Sequence, residues 1–570
     1  MQGIAASPGI AIGKIHLKRN KSFKITRRKI SEKEVEKEIK RFHQALSRVK
    51  EDLSSIKEHI SKKIGQEKAE IFEAHLMLLS DPELVPAIEN KIKENKFSAE
   101  AAVERVIGKY VQIFANMENE YLKGRKSDLE DVGDRIIKIL IGQKRESQKL
   151  KEKAVIVAKD LAPSDTARFD KSFVQAFVTE QGSRTSHTAI MAQSLGIPAV
   201  VGVREGLIDK CNQGDLIIVD GNTGKIIINP EPEMLKKYRK RINKYEKEQQ
   251  KLHNFIDKKA STKDNKKISV MGNIGNINDI DSVLNQGGEG IGLFRTEFLY
   301  MGKDKLPSEE KQFEVYKKAA KKMGDKSVVI RTLDIGGGKA LSYLELPEEK
   351  NPFLGYRAIR ISLKSPEIFK PQLKAILRAG KYGNIKMMYP MISSLEEIHQ
   401  TKKILRECCR ELDKAGKKYN QNIEIGIMIE IPGTLMMAED LAGEVDFFSI
   451  GTNDLIQYML AVDRNNENIA RLHTPYHPAV LRFITKIVEA AHKQDIWVSM
   501  CGEAAGEELL LPFLLGVGLD ELSMSAVSIL KIKKFMSKWT TEEAREVVKE
   551  ITTLNTVSEI KDKLNSIKKG

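Results

Sequence analysis

The chain opens on GIAASPGIAIGKIHL, where small and β-branched residues are punctuated by glycine and proline, a texture that predicts strands. From Ser31, which stands three residues before Glu34 in a capping-box pattern, to about Gly142, the chain turns charged and glycine-poor. Within that stretch AEIFEAHLMLLSDPELVPAIENKI places apolar residues at helical spacing. At Ala154 the strand texture returns, in AVIVAKD, FVQAFVTE, PAVVGV, DLIIVDG and KIIINP. The pattern predicts one α/β domain built from residues 1–30 and 145–230 and interrupted by an all-helical subdomain at 31–144.

Residues 231–260 read as a helical linker. Leu235, Tyr238, Ile242, Tyr245, Leu252 and Ile256 follow heptad-like spacing, which suits either a helix packed on a partner or a connector with one packed stripe. Past Lys266 come eight strand-like segments with helical stretches between most of them: ISVMGNI, GIGLFRTEF, VVIRTLDIG, IKMMYPMI, IEIGIMIEI, VDFFSIGTND, WVSMCGEA and DELSMSA. Successive βα units in this number predict a C-terminal TIM (β/α)8 barrel over residues 261–570. The expected fold class is therefore α/β multidomain.

Composition narrows the functional classes. A chain of 570 residues is too long for one core, and its 41% hydrophobic content is ordinary for a soluble protein. No apolar run reaches bilayer length, and MQGIAASPGIAIGK lacks a basic region followed by a long apolar core, so a cytoplasmic protein without membrane insertion is expected. The four cysteines, Cys211, Cys408, Cys409 and Cys501, have no metal-ligand spacing, which fits a reducing compartment. The net charge of +16 raises nucleic acid as a partner. However, KKYRKRINKYEKEQQK and KDKLNSIKKG mix basic with acidic and amide residues, only 6% of residues are aromatic, and no zinc-finger or RNP pattern is present. Solvated lysine faces, with no nucleic-acid partner, are the expectation.

Two stretches carry candidate chemistry. In SRTSHTAIMAQSLGIPAVVG, Thr185 and Ser186 are N-cap candidates and Gly196 with Pro198 stops the helix, so His187 falls in its first turn. There the free N–H groups favour an anion, and a neutral imidazole carrying a phosphoryl group becomes that anion. A capping or packing histidine is the plainer alternative. In the barrel, polar residues fall at strand ends: Arg295, Arg331, Asp334, Glu430, Asn453, Asp454, Cys501 and Glu503, with Arg464 in a later loop. Several arginines with two carboxylates suit a polyanion held together with a hard divalent cation. The glycines 336–338 before Lys339 would let backbone approach a phosphate. Cys501 reads as a buried thiol or as a proton donor or acceptor.

Together these stretches resemble enzyme I of the phosphoenolpyruvate-dependent sugar phosphotransferase system. GIAASPGIAIGK, IFEAHLMLLSDPEL, SRTSHTAIMA, GLFRTEFLYM, RTLDIGG, NPFLGYRAIR, DFFSIGTNDLIQYMLAVDR and MCGEAAG occur in that family's order. The resemblance implies phosphoryl transfer from phosphoenolpyruvate to a histidine, release of pyruvate, and onward transfer to the phosphocarrier HPr. It also implies Mg²⁺, with Mn²⁺ as an alternative, a homodimer formed through the barrel, a swivelling phosphohistidine α/β domain, and HPr docking on the helical subdomain. By that resemblance His187 is the nucleophile, attacking through Nε2, and Thr166 orients its other nitrogen. Arg295, Arg331, Arg464 and Asn453 are the implied phosphoenolpyruvate ligands, with Asp454 at the same site and Lys339 and Arg357 as added phosphate contacts. Glu430 and Asp454 are the implied metal ligands, and Cys501 the acid that protonates C3 of enolpyruvate.

Ser183, Gln193 and Gly338 depart from the family's usual glycine, arginine and aspartate, which bears on turnover and phosphohistidine stability rather than on reaction class. A phosphoenolpyruvate synthase or pyruvate phosphate dikinase needs an ATP-binding domain for which no stretch has room. A non-catalytic phosphate-binding protein would not need the intact set of Arg295, Arg331, Glu430, Asp454 and Cys501. Transfer between a histidine in one domain and a site in another also predicts hinges near residues 230–235 and 255–262.

Overall fold

Apolar runs such as AVIVA are buried along their whole length, as expected for strands covered on both faces. They belong to a computed structural model of the chain that describes residues 1–570 other than 19–28, 64–71, 74, 82, 116–119, 143–149, 151, 162–171, 184–185, 204–205, 302, 338–340, 342, 345, 465, 467 and 569–570. Within described helices, the side chains of 59–63, 115, 120–127, 187, 190, 194, 245, 248 and 249 also lie outside the description. The chain divides into two units, Met1–Lys247 and Glu248–Gly570.

In the first unit, β1 (Ile4–Ser7), β2 (Ile10–Lys18), β3 (Ala154–Ala158), β4 (Val174–Thr179), β5 (Ala199–Val201), β6 (Leu216–Asp220) and β7 (Lys225–Ile228) form one sheet, in the order β1-β5-β4-β3-β2-β6-β7. β2 to β5 pair in parallel, while β1, β6 and β7 add antiparallel. Alternation along β3 sends Val155 and Val157 into one core and Ile156 and Ala158 into the other. The helix His187–Leu195 contributes Ala189 and Ala192 to the second of these cores.

Between β2 and β3 come the helices Val35–Lys63, Leu84–Asn95, Ala99–Ala115 and Glu120–Leu140, entered through the expected capping box of Ser31 and Glu34. Phe42, Leu53, Ile88, Ile92, Val103, Val132 and Ile136 fill their shared core. Met191, from the helix that His187 begins, packs into this same core.

The helix Pro232–His253 carries the chain from the first unit into the second. Among its described side chains the buried ones are Tyr238 and Leu252; Ile256, expected on the same stripe, lies in a bend beyond the helix end. Within the stretch expected to hinge at 255–262, Lys258 and Ala260 are bonded to residues of the second unit. Buried Lys533 donates to the Lys258 carbonyl at 2.8 Å, and Ala260 N donates to Glu289 at 2.6 Å. A lysine buried with carbonyl and carboxylate partners resists displacement, because removing those partners leaves an uncompensated charge.

In the second unit, β8 (Ser269–Ile274), β9 (Ile291–Phe294), β10 (Val328–Arg331), β11 (Ile385–Tyr389), β12 (Ile425–Ile429), β13 (Phe447–Ile450), β14 (Trp497–Met500) and β15 (Glu521–Met524) close into a parallel barrel. Each of the eight segments read as strand-like supplies one of them. Leu293, Val329, Met388, Met428, Phe447 and Cys501 form one buried cluster, distinct from the larger core that includes the surrounding helices. Among the described residues, no helix is long and apolar enough to cross a membrane, and Cys211, Cys408, Cys409 and Cys501 are free thiols.

Candidate active site

Short strands followed at once by loops or helices deliver polar side chains to the C-terminal end of the barrel. Arg331 ends β10, Arg295 follows β9, Glu430 follows β12 and Cys501 follows β14. Directly after β13 the helix Thr452–Leu460 starts, which puts Asn453 and Asp454 in its first turn.

These groups are joined by ion pairs. Arg331 is bound to Glu297 through Nη2 and to Asp334 through Nη1, at 3.1 Å for the latter. The other oxygen of Asp334 accepts from Arg357 Nη2 at 2.8 Å, and the same nitrogen lies 3.2 Å from Asp454 Oδ2. Arg464, at the rim, lies 3.5 Å from Asp454 Oδ1. Glu430 accepts from Met391 N at 2.7 Å, a contact delivered by a positive φ of 58° at Met391. Asn453 accepts from Glu503 N at 3.3 Å, and its own carbonyl meets the His473 ring at 2.9 Å.

The charges explain one another. Burial, then the nearby Asp454 and Asp334 carboxylates, push the Glu430 carboxyl up to about 8. Burial opposes the charge of Arg331 and Arg357, and the carboxylates Glu297 and Asp334 on the first, Asp334 and Asp454 on the second, more than offset it. The Nε–H groups of both arginines are nevertheless buried without an acceptor. An orphaned donor on a buried cation is costly, and an anion would satisfy it. Burial pushes the Cys501 thiol up to about 11, so it keeps its proton at neutral pH.

Of the residues singled out in the sequence, Arg331, Arg357, Asp454 and Arg464 belong to one charged network, and Glu430 is electrostatically linked to it. Arg295 has Arg331, Glu297, Cys501 and Glu503 as its electrostatic neighbours. Lys339, Gly338 and Thr166 lie outside the described residues, as does the side chain of His187. The backbone of His187 stands where it was expected, at the first position of a helix closed by Gly196 in the left-handed conformation. Ser186 is its N-cap by backbone, with no side-chain capping bond. Gln193, at the family's arginine position, donates to the Ala6 carbonyl at 2.6 Å.

Two glycines of the run, Gly336 and Gly337, pack against Arg357. A Cβ on Gly336 would stand 2.7 Å from Arg357 Cβ, and one on Gly337 3.3 Å from Arg357 Cδ, so these glycines make room for the Arg357 arm. Three participants were missed in the sequence. Glu297, two residues past Arg295, was signalled only as an acid in the same loop. Asn273 in β8 donates to the Cys501 carbonyl at 2.9 Å, and Tyr458 holds Arg357; both read as ordinary strand or helix residues.

The chain matches the family descriptions "PEP-utilising enzyme, PEP-binding domain" over residues 249–541, "PEP-utilising enzyme, N-terminal" over 2–125 and "PEP-utilising enzyme, mobile domain" over 150–224. It is 47% identical to the phosphoenolpyruvate-protein phosphotransferase of Bacillus subtilis over 561 residues, 98% of each chain. It is 44% identical to that of Staphylococcus carnosus, over 99% of this chain and 98% of the relative. A solution structure of an enzyme I protein is 47% identical, covering 43% of this chain and 99% of its own, at a TM-score of 0.38. With three family domains in order, and a relative this similar along nearly its whole length, the chain belongs to the phosphoenolpyruvate-protein phosphotransferase family.

Proposed function

We propose that the chain takes the phosphoryl group of phosphoenolpyruvate onto Nε2 of His187, with Thr166 orienting the ring, and passes it to a histidine of HPr. In the first step the phosphorus–oxygen bond of phosphoenolpyruvate breaks, a phosphorus–nitrogen bond forms, and the enolate of pyruvate is left to be protonated at C3. The reading is supported above all by Arg331 and Arg357, two buried guanidinium groups whose Nε–H donors lack an acceptor at the C-terminal end of the barrel. Arg295, Arg464, Asn453 and Lys339 complete the anion site. Cys501, a protonated thiol at neutral pH, supplies the proton to C3.

A divalent cation fits the donor set, and Mg²⁺ or Mn²⁺ is the proposed ion. Glu430 and Asp454 are hard oxygen donors whose mutual repulsion a cation relieves. Two carboxylates fill only part of the coordination shell of such an ion, which would leave positions for substrate oxygens. When bound, the ion neutralises charge on the phosphoenolpyruvate oxygens. The protein's part is positioning: the arginines orient the phosphate, and His187 must reach in-line distance of phosphorus in the transferring state.

The proposed assembly is a cytoplasmic homodimer joined through the barrel, with HPr on the helical subdomain. The proposed domains are 1–30 with 145–230, then 31–144, a linker at 231–260 and the barrel at 261–570. The test is incubation with phosphoenolpyruvate labelled in its phosphoryl group, with and without Mg²⁺, for the native chain and His187→Ala. Acid-labile, base-stable label that needs Mg²⁺ and His187 and moves to HPr is the expected result. An unlabelled native chain would return His187 to a capping role.

A further inference from the structure

Tyr458 lies on the helix Thr452–Leu460, one turn beyond Asp454 and on the same side of it. Its hydroxyl accepts from Arg357 Nη1 at 2.7 Å and donates to the Phe353 carbonyl at 2.7 Å. One phenol thereby bridges the helix that carries Asn453 and Asp454 and the loop that carries Arg357. Both uses of the hydroxyl, donor and acceptor, are filled.

The loop it grips is under strain. Ala358, next to Arg357, has φ 54° and ψ −123°, a conformation that side-chain-bearing residues rarely adopt, and its N–H is held by the Ile335 carbonyl at 2.9 Å. Strain of this kind persists only where surrounding contacts fix the backbone from several sides. Gly336 and Gly337 pack along the Arg357 arm, and the Phe353 ring lies 6.0 Å from its guanidinium. Of the five N–H donors of Arg357, Asp334, Asp454 and Tyr458 engage three, and Nε–H is left buried without an acceptor. The orientation of the remaining donors is set by those three contacts. Two come from acids, and Asp454 is the one whose charge a cation would claim.

We propose that Tyr458 is a positioning residue for anion recognition, fixing the Arg357 guanidinium so that its free donors meet the phosphate of phosphoenolpyruvate. The inference rests on Arg357 being a phosphate ligand of the proposed reaction. It identifies a contact that keeps its hold on Arg357 when Asp454 turns to a metal.

The test is steady-state transfer from phosphoenolpyruvate to HPr with saturating Mg²⁺, for the native chain, Tyr458→Phe, Arg357→Met and the double variant, each checked for thermal unfolding. Losing one hydrogen bond to a charged group should raise KM for phosphoenolpyruvate about tenfold in Tyr458→Phe, with kcat changing far less. In the Arg357→Met background the same substitution should change KM less than about twofold, because the contact it removes is already gone. A native-like KM in Tyr458→Phe, or an equal rise in both backgrounds, overturns the assignment while leaving the reaction standing. A native chain that takes no phosphoryl group overturns both. Should Tyr458→Phe not fold, Tyr458→His carries the same comparison between backgrounds.

Discussion

Asp454 Oδ2 lies 3.2 Å from Nη2 of Arg357, so the carboxylate read as a metal ligand and the guanidinium read as a phosphate ligand neutralise one another. A cation that draws Asp454 away frees an Arg357 donor for the anion, and leaves the guanidinium charge less neutralised. Binding of the two should therefore be coupled. In calorimetric titration, Mg²⁺ should tighten phosphoenolpyruvate binding by about tenfold or more, and Asp454→Asn should flatten that dependence. Equal dissociation constants with and without Mg²⁺ in the native chain would refute the coupling.

Met191 ties the helix that begins at His187 to the core of the helical subdomain. Met191→Ala should remove about 2 kcal/mol of packing there. Amide exchange should then quicken both in His187–Leu195 and in the helix Ala99–Ala115, with the barrel unchanged. Quickening confined to the His187 helix would mean that the contact couples nothing.

Glu521, at the start of β15, is buried with one carboxyl oxygen unpartnered. Burial pushes its carboxyl up from 4.5 to about 7, with Lys386 pulling it down and Glu424 and Asp520 adding to the rise. Between those two values the folded chain binds the extra proton, so this group lowers stability as pH rises through the window. Glu521→Gln should remove that slope and raise stability at pH 8 by up to about 3 kcal/mol. Parallel pH–stability curves for variant and native chain would argue against a buried neutral acid.

Glu309 joins three cations: Arg378 at 2.6 Å, Lys417 at 2.9 Å and Lys374 at 3.4 Å. Burial pushes its carboxyl up, but Lys417 and Arg378 hold it below the ordinary 4.5. The stabilisation is therefore present above pH 4.5 and lost as pH falls through the lower folded value. Because these side chains are partly solvated, Glu309→Gln should cost only about 1 kcal/mol at pH 7, and less in high salt. Denaturant melts of the native chain and the variant at pH 7 and pH 3 measure this; a cost that persists at pH 3 would contradict it.

Much of the fold was legible because its signals are local. AVIVA reads as a strand from five neighbouring residues, and the Ser31–Glu34 capping box from four. The placement of Arg331, Glu430 and Cys501 at one end of the barrel was readable because a strand leads each of them there. Tyr458 was not, since LIQYML looks like any half-buried helix. Nor was the role of Gly336, whose neighbour Arg357 arrives 21 residues later. The contact that fastens Lys258, inside the stretch expected to hinge, was not legible for the same reason: its lysine is 275 residues away, at Lys533.

By itself the sequence determined the strands and helices, the barrel and the stock of arginines and carboxylates at its strand ends, because periodicity, caps and turns act between near neighbours. Only the tertiary structure decided which arginine each carboxylate neutralises and which donors stay free. Arg357 and Asp454 meet across 97 residues, and burial there makes an ion pair and an orphaned N–H matter as they would not in water.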